Sequence, residues 1–219
     1  MNDSTVMSSP PISVTAHSGI ESQNPTSFIA STSSCGSVTL LMLEEPEIVH
    51  ELLDFTVCVS AEMFTLLHEN GCDIAFPAEP VGSGSLISQE MFEEWVVPSL
   101  KKLKEKLPFY KYFYAHVCGA SGNRVAALRE CGVNVFSVDY LVDFEKAVEA
   151  AGEKMVMMGN IKPAGTLLTG TPSEVYKEAC ERIKIANGHS HILAPGCDLG
   201  ADTPLENVKM LSKACKDMA

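Results

Sequence analysis

The chain has 219 residues, 46% hydrophobic and 20% charged, an ordinary composition for a soluble globular protein and a length suited to one main domain. Its 16 basic and 28 acidic side chains give a net charge of −12, so a phosphate backbone is a poor partner and no nucleic acid binding is expected. No run approaches the roughly 18 apolar residues of a membrane helix, and the opening MNDSTVMSSPPISV lacks the basic-then-apolar order of a secretory signal, so a cytoplasmic protein without membrane contact is expected.

Residues 1–11 are polar and Ser-rich and read as a flexible N-terminus, with a single domain over 12–219. The first strand candidate is 12–16. A long helix follows over 47–70, with Ile48, Leu52, Phe55, Val59, Met63 and Leu66 at helical spacing and a stop at Gly71. Residues 73–76 form the second strand candidate. An amphipathic helix over 89–107 contains Pro98, which should kink or split it. Further strands are expected at 112–116, 133–138, 155–158 and 191–193, each short, apolar and running into a loop. Two helices open with Pro at the first turn behind a threonine, at 172–186 after Thr171 and at 204–218 after Thr203. The alternation of strand and helix predicts an α/β protein with a parallel sheet, either doubly wound or a (β/α)₈ barrel. In both, ligands gather at the C-terminal ends of the strands.

The residues with chemical potential lie at those ends. Tyr114-Ala115-His116-Val117-Cys118-Gly119 closes one strand, where residues two apart point to the same side, so His116 and Cys118 can converge. Ala194-Pro195-Gly196-Cys197-Asp198 follows the last strand. One imidazole and two thiolates suit Zn²⁺ and leave a fourth position open, where a bound thiol would lose its proton at neutral pH. A strand-end histidine bonded to a carbonyl beside two buried cysteines has the same spacing, and spacing alone leaves both readings open. Cys58, Cys131, Cys180 and Cys215 lie in apolar, helix-like contexts and read as free thiols.

Asp139 ends the next strand, either as a fourth ligand displaced by substrate or as a cap for the loop before Asp143. The Gly-rich stretch 78–88 carries Glu79 and Ser83, which can face the substrate or stay structural; Gly82 and Gly84 do not form a phosphate-binding fingerprint. Asn160 either faces the substrate as well or ties strand-end loops together. His189 and His191 read as an exposed or carbonyl-bonded pair at the opposite end of the sheet.

Several stretches resemble the uroporphyrinogen decarboxylase superfamily. They are Glu45-Pro46-Glu47, Ala78-Glu79-Pro80-Val81-Gly82-Ser83-Gly84-Ser85-Leu86-Ile87-Ser88, His116-Val117-Cys118-Gly119, Ser137-Val138-Asp139, Met158-Gly159-Asn160-Ile161-Lys162-Pro163 and Leu193-Ala194-Pro195-Gly196-Cys197. The His-x-Cys pair and the late Cys resemble its cobamide-dependent methyltransferase branch. That resemblance implies a (β/α)₈ TIM barrel, incomplete here, whose six strand candidates match the third to eighth of the family barrel. It implies zinc on His116, Cys118 and Cys197. It also implies methyl transfer from a methylated corrinoid, carried by a corrinoid protein, to a zinc-activated thiol such as coenzyme M. The alternatives are a metal-free decarboxylase-like enzyme and an inactive fragment that binds a corrinoid protein. An incomplete barrel leaves sheet edges open, so a homodimer, or cover from residues 12–28, is expected.

Overall fold

Ile74–Ala75 (β1), Tyr112–Val117 (β2), Val135–Val138 (β3), Val156–Ile161 (β4) and His191–Pro195 (β5) form one parallel sheet, in the order β1-β2-β3-β4-β5, in a computed structural model whose described residues are 35–218. Each strand pairs with its neighbour in sequence, without the reversal that creates a doubly wound sheet. The order is that of a (β/α) barrel, of which this is an open part: among the described residues β1 and β5 each have one paired side. The strand candidate at 12–16, and the cover expected from 12–28, lie outside the described residues.

The helices are Cys35–Glu44 (α1), Pro46–Glu69 (α2), Gln89–Met91 (α3), Val97–Lys106 (α4), Val125–Glu130 (α5), Phe144–Ala151 (α6), Pro172–Ile185 (α7) and Leu205–Met218 (α8). The main core lies between the sheet and the helices of one side. Phe113, Ala115 and Val117 of β2, Phe136 and Val138 of β3 and Met157 of β4 meet Leu100, Leu103, Val125, Leu128, Phe144 and Val148 there, all essentially buried. Each such large side chain contributes about 1.5–3 kcal/mol by leaving water. Alternation therefore turns Tyr114 and His116 of β2 to the other face.

Four sequence expectations are adjusted. The strand at 73–76 is reduced to two residues, because Pro77 has no N–H to continue the ladder; pairing resumes only as a single bridge between Ala78 and His116. The strands at 155–158 and 191–193 run on to Ile161 and Pro195. Gly159 and Asn160, poor strand formers, are held there by pairing with Leu193 and Ala194. The expected division of the helix over 89–107 takes the form of a change of pitch ahead of Pro98, between α3 and α4. A π-helical stretch, Phe92–Val96, widens the turn ahead of it and accommodates the missing donor and the ring.

The fourth concerns α2. Ile48, Leu52, Phe55, Val59 and Leu66 share the helical spacing that marks this helix in the sequence, yet they are 39–63% exposed. The buried stripe is the adjacent one: Val49, Leu53, Val57, Ser60, Ala61 and Phe64. The small Ser60 and Ala61 let α4 approach closely on that side, while bulkier residues line the other. No helix among the described residues is long and apolar enough to cross a membrane.

Candidate metal centre

Parallel registry builds the site. His116 on β2 pairs with Ser137 on β3, and Phe76, just past β1, falls beside Tyr114. Loops leaving β2 and β5 then carry Cys118 and Cys197 to the same point. One ligand atom from each of His116, Cys118 and Cys197 lies within 4.8 Å of the others. No other such group of His, Cys, Asp or Glu occurs among the described residues.

The imidazole is oriented from behind. Its Nδ1 stands 3.1 Å from the Ser137 carbonyl oxygen and 3.0 Å from the Ser137 hydroxyl. A carbonyl oxygen only accepts, so the ring proton sits on Nδ1 and the Nε2 lone pair faces forward. Nε2 is 3.2 Å from Cys118 Sγ and 3.9 Å from Cys197 Sγ. Burial, the neighbouring Cys197, and the carboxylates of Asp139 and Asp198 push the Cys118 thiol up to about 12. This donor set fits Zn²⁺: it has one nitrogen and two sulfurs, a correctly tautomerised imidazole and a carbonyl partner behind it. The same geometry makes a strand-end imidazole bonded to a carbonyl; the convergence of both sulfurs on the other nitrogen is what separates the metal reading from that one.

Asp139 stands beside the group rather than in it. One carboxylate oxygen accepts the Gly119 N–H and the other the Leu141 N–H, both at 2.9 Å. It therefore fastens the turn after Cys118 to the loop after β3. Asn160 is 1% exposed and donates to the carbonyls of Asp139 and Val142, at 3.0 and 3.1 Å, which ties the β3 and β4 ends together. Glu79 is buried and accepts the Gly82 N–H at 3.0 Å, closing its own loop. Ser83 is also buried, its hydroxyl accepting the Ser85 N–H. Its oxygen packs against Gly119 so closely that an added Cβ there would come within 2.5 Å. Asn160, Glu79 and Ser83 thus brace the strand-end loops and do not line the cavity in front of them.

That cavity measures about 320 Å³ and is walled by Phe76, Tyr114, Ser137, Met158, Ala194, Pro195 and Asp198 together with His116, Cys118 and Cys197. Phe76 and Tyr114 stack at 4.1 Å between ring centroids. The roles of Ser137, Tyr114 and Asp198 escaped the sequence reading because they depend on strand register and loop path. The signal available was the pairing of one strand-end motif, Ser137-Val138-Asp139, with another, and it gives no register by itself. A larger concavity of about 530 Å³ lies against α7, lined by Lys162, Thr166, Glu174, Lys177 and Arg182; it offers mixed charge and no ligand set. His191 donates from Nε2 to the Gly159 carbonyl at 2.8 Å, at the other end of β5.

A sequentially ordered parallel sheet with a His-Cys-Cys group at the C-terminal ends of its strands defines a barrel-type α/β protein with a strand-end histidine–cysteine site. The chain belongs to the uroporphyrinogen decarboxylase (URO-D) family, whose model matches residues 26–218. It is 30% identical over 172 residues to the methylcobamide:CoM methyltransferase MtbA of Methanosarcina acetivorans, a match covering 78% of this chain and 50% of that protein. It is 25% identical over 185 residues to the uroporphyrinogen decarboxylase of Prochlorococcus marinus, covering 83% and 51%. Among solved structures it is similar to a methyltransferase from Methanosarcina mazei, with a TM-score of 0.80 and 26% identity over 90% of this chain and 57% of that one. The chain spans about half the length of the curated relatives it matches.

Proposed function

We propose that this chain is a methyltransferase that moves a methyl group from a methylated corrinoid, presented by a corrinoid protein, to a thiol such as coenzyme M. The observation that carries this reading is the convergence of Nε2 of His116 with the sulfurs of Cys118 and Cys197 in front of an open cavity. Zinc held by these three side chains supplies Lewis-acid stabilisation of an acceptor thiolate at neutral pH. The chain's own residues do the rest. Ser137 orients the imidazole, Asp139 holds the Cys118 turn, and the Phe76–Tyr114 stack and Met158 exclude water around the acceptor. In the transfer, the acceptor sulfur forms a bond to the methyl carbon, the carbon–cobalt bond breaks with its electron pair left on the corrinoid, and the thiol proton goes to solvent.

The decarboxylase reading is supported by family membership and by decarboxylase relatives at lower identity than the methyltransferases. A substrate rich in carboxylates calls for cations, and no Lys or Arg lines the described cavity. A cytoplasmic, membrane-free protein, and a homodimer in which a second copy covers the open edges of β1 and β5 and the exposed stripe of α2, complete the proposal. Sedimentation equilibrium should report a dimer; a monomer at all concentrations overturns that part.

The test of the main reading is elemental analysis of the reduced protein beside Cys197→Ala. About one zinc per chain, lost in the variant, followed by thiol-dependent demethylation of methylcobalamin, is the expected result. Metal-free wild-type protein overturns it, and zinc without any thiol affinity indicates a chain that binds its partner without turnover.

A further inference from the structure

We infer that Cys118 and Cys197 form a reversible dithiol–disulfide pair, so that this site is either a metal centre or a disulfide. The inference rests on the metal–thiol reading above and adds a regulation to it: oxidation of the pair by a small disulfide turns acceptor binding off, and excess thiol restores it.

The geometry is that of a preformed dithiol. Cys118 lies just past β2 and Cys197 just past β5, and their sulfurs and His116 Nε2 all lie within 4.8 Å of one another. A disulfide bond is about 2.05 Å long, so a closure of at most about 3 Å separates the two sulfurs from bonding. Their approach is set by the sheet, since β3 and β4 fix the spacing of β2 from β5. Two reacting groups held this way meet at a high effective concentration. Both thiols are free, both are half-buried, and both line the cavity that faces the acceptor. A volume of about 320 Å³ that admits a short thiol also admits one half of its disulfide, with the other half at the mouth beside the exposed Asp198.

The oxidant is a small disulfide, the oxidised form of the acceptor class itself. One protein sulfur, as thiolate, attacks a sulfur of that disulfide; the small S–S bond breaks and one small thiolate leaves. The second protein sulfur then attacks the first, the mixed disulfide breaks, and a second small thiolate leaves. The protein gives up two electrons, the small disulfide takes them, and the two protein protons end on the two small thiols. His116 Nε2 stands 3.2 Å from Cys118 Sγ and can pass that proton to the departing thiolate. A metal held by both sulfurs blocks the exchange. The disulfide in turn leaves His116 as the one remaining ligand of the three, and a single imidazole holds a metal ion poorly. Each state excludes the other, and the ratio of small thiol to its disulfide sets which is populated.

The experiment uses the full reduced chain, either zinc-loaded or stripped with a chelator, in anaerobic buffers of graded bis(2-hydroxyethyl) disulfide and 2-mercaptoethanol. Peptide mass mapping and zinc content are read together. The stripped chain is expected to yield the linked Cys118–Cys197 peptide and to lose zinc affinity by at least about tenfold until excess 2-mercaptoethanol restores it. The zinc-loaded chain should form the link at least about tenfold more slowly. Exposed Cys58, Cys72 and Cys215 would carry the small thiol as an adduct, which peptide mass separates from the internal link. Cys118→Ser and Cys197→Ser should each stop at the adduct on the cysteine that remains. Zinc bound by the reduced chain, with no linked peptide at any ratio, overturns the inference and leaves the metal–thiol reading in place. Equal rates of linkage with and without zinc overturn it as well. A reduced chain that takes up no zinc overturns that reading, and the gate with it.

Discussion

His116 turns its Nε2 toward the two sulfurs because of an atom on a different strand. The Ser137 carbonyl fixes the Nδ1 proton, and the Ser137 hydroxyl adds a second contact. Ser137→Ala keeps the carbonyl, so zinc affinity should fall by no more than about tenfold in a competitive chelator titration. Asp139→Ala should leave most zinc in place while costing about 1–3 kcal/mol in denaturant unfolding, because two backbone N–H groups lose their acceptor. Complete loss of metal in that variant would instead make Asp139 a ligand. Without metal the Cys118 thiol is protonated at neutral pH, its value pushed up to about 12. Metal uptake must therefore release that proton, and zinc affinity should rise with pH when titrated against a chelator. His191 works in the other direction: burial holds its imidazole below the ordinary 6.5, so below that pH the unfolded chain takes up a proton that the folded chain resists. Stability should then decline as pH falls through this region, and His191→Gln should flatten that slope in urea titrations.

At the level of elements, the site depends on close approach between loops. Gly196, directly before Cys197, has no room for a side chain: an added Cβ would run into the Tyr140 backbone nitrogen and lie 2.9 Å from its Cα. Gly196→Ala should therefore displace Cys197 and lose zinc with all three ligands still present, measurable by elemental analysis. Arg124 does similar work for the loop over 78–88. It bonds two of its carbonyls and lies over the Phe92 ring at 4.7 Å. Arg124→Leu should destabilise by at least about 3 kcal/mol, and Arg124→Lys should not rescue it, since an ammonium cannot span the three acceptors. Zinc should survive in the folded fraction, because its ligands sit on other loops. The helix starts were legible in the sequence for a local reason. Thr171 and Glu174 form a reciprocal capping box at α7, an interaction contained within four residues.

Across the whole molecule, an open parallel sheet and an apolar outer stripe on α2 coexist with a charge of −12. Charge of one sign keeps the chain apart from its like at low salt, while the apolar stripe favours coverage. Replacing Phe55, 63% exposed, with Glu should weaken any self-association seen by sedimentation, with little change in Tm. A family barrel needs about 250 residues, which agrees with a chain that supplies part of one.

Features that depend on near neighbours can be read from the chain alone: alternating strand and helix, the capped helix starts, and a His-x-Cys pair at a strand end. The order of the chain also places Cys197 after the last strand, so the three candidate ligands were readable as residue types at strand ends. The remaining points come from the assembled fold, because each depends on pairing between distant segments. Strand register set Ser137 behind His116 and drew Gly159 and Asn160 into β4. Packing against α4 chose which of two apolar stripes on α2 was buried. The turn after Cys118 directed Asp139 toward backbone N–H groups. The charge of the cavity likewise came from the fold, which directs Arg124 inward and leaves Asp198 at the mouth. Side-chain chemistry is written locally, but the direction in which it is aimed is a property of the assembled sheet.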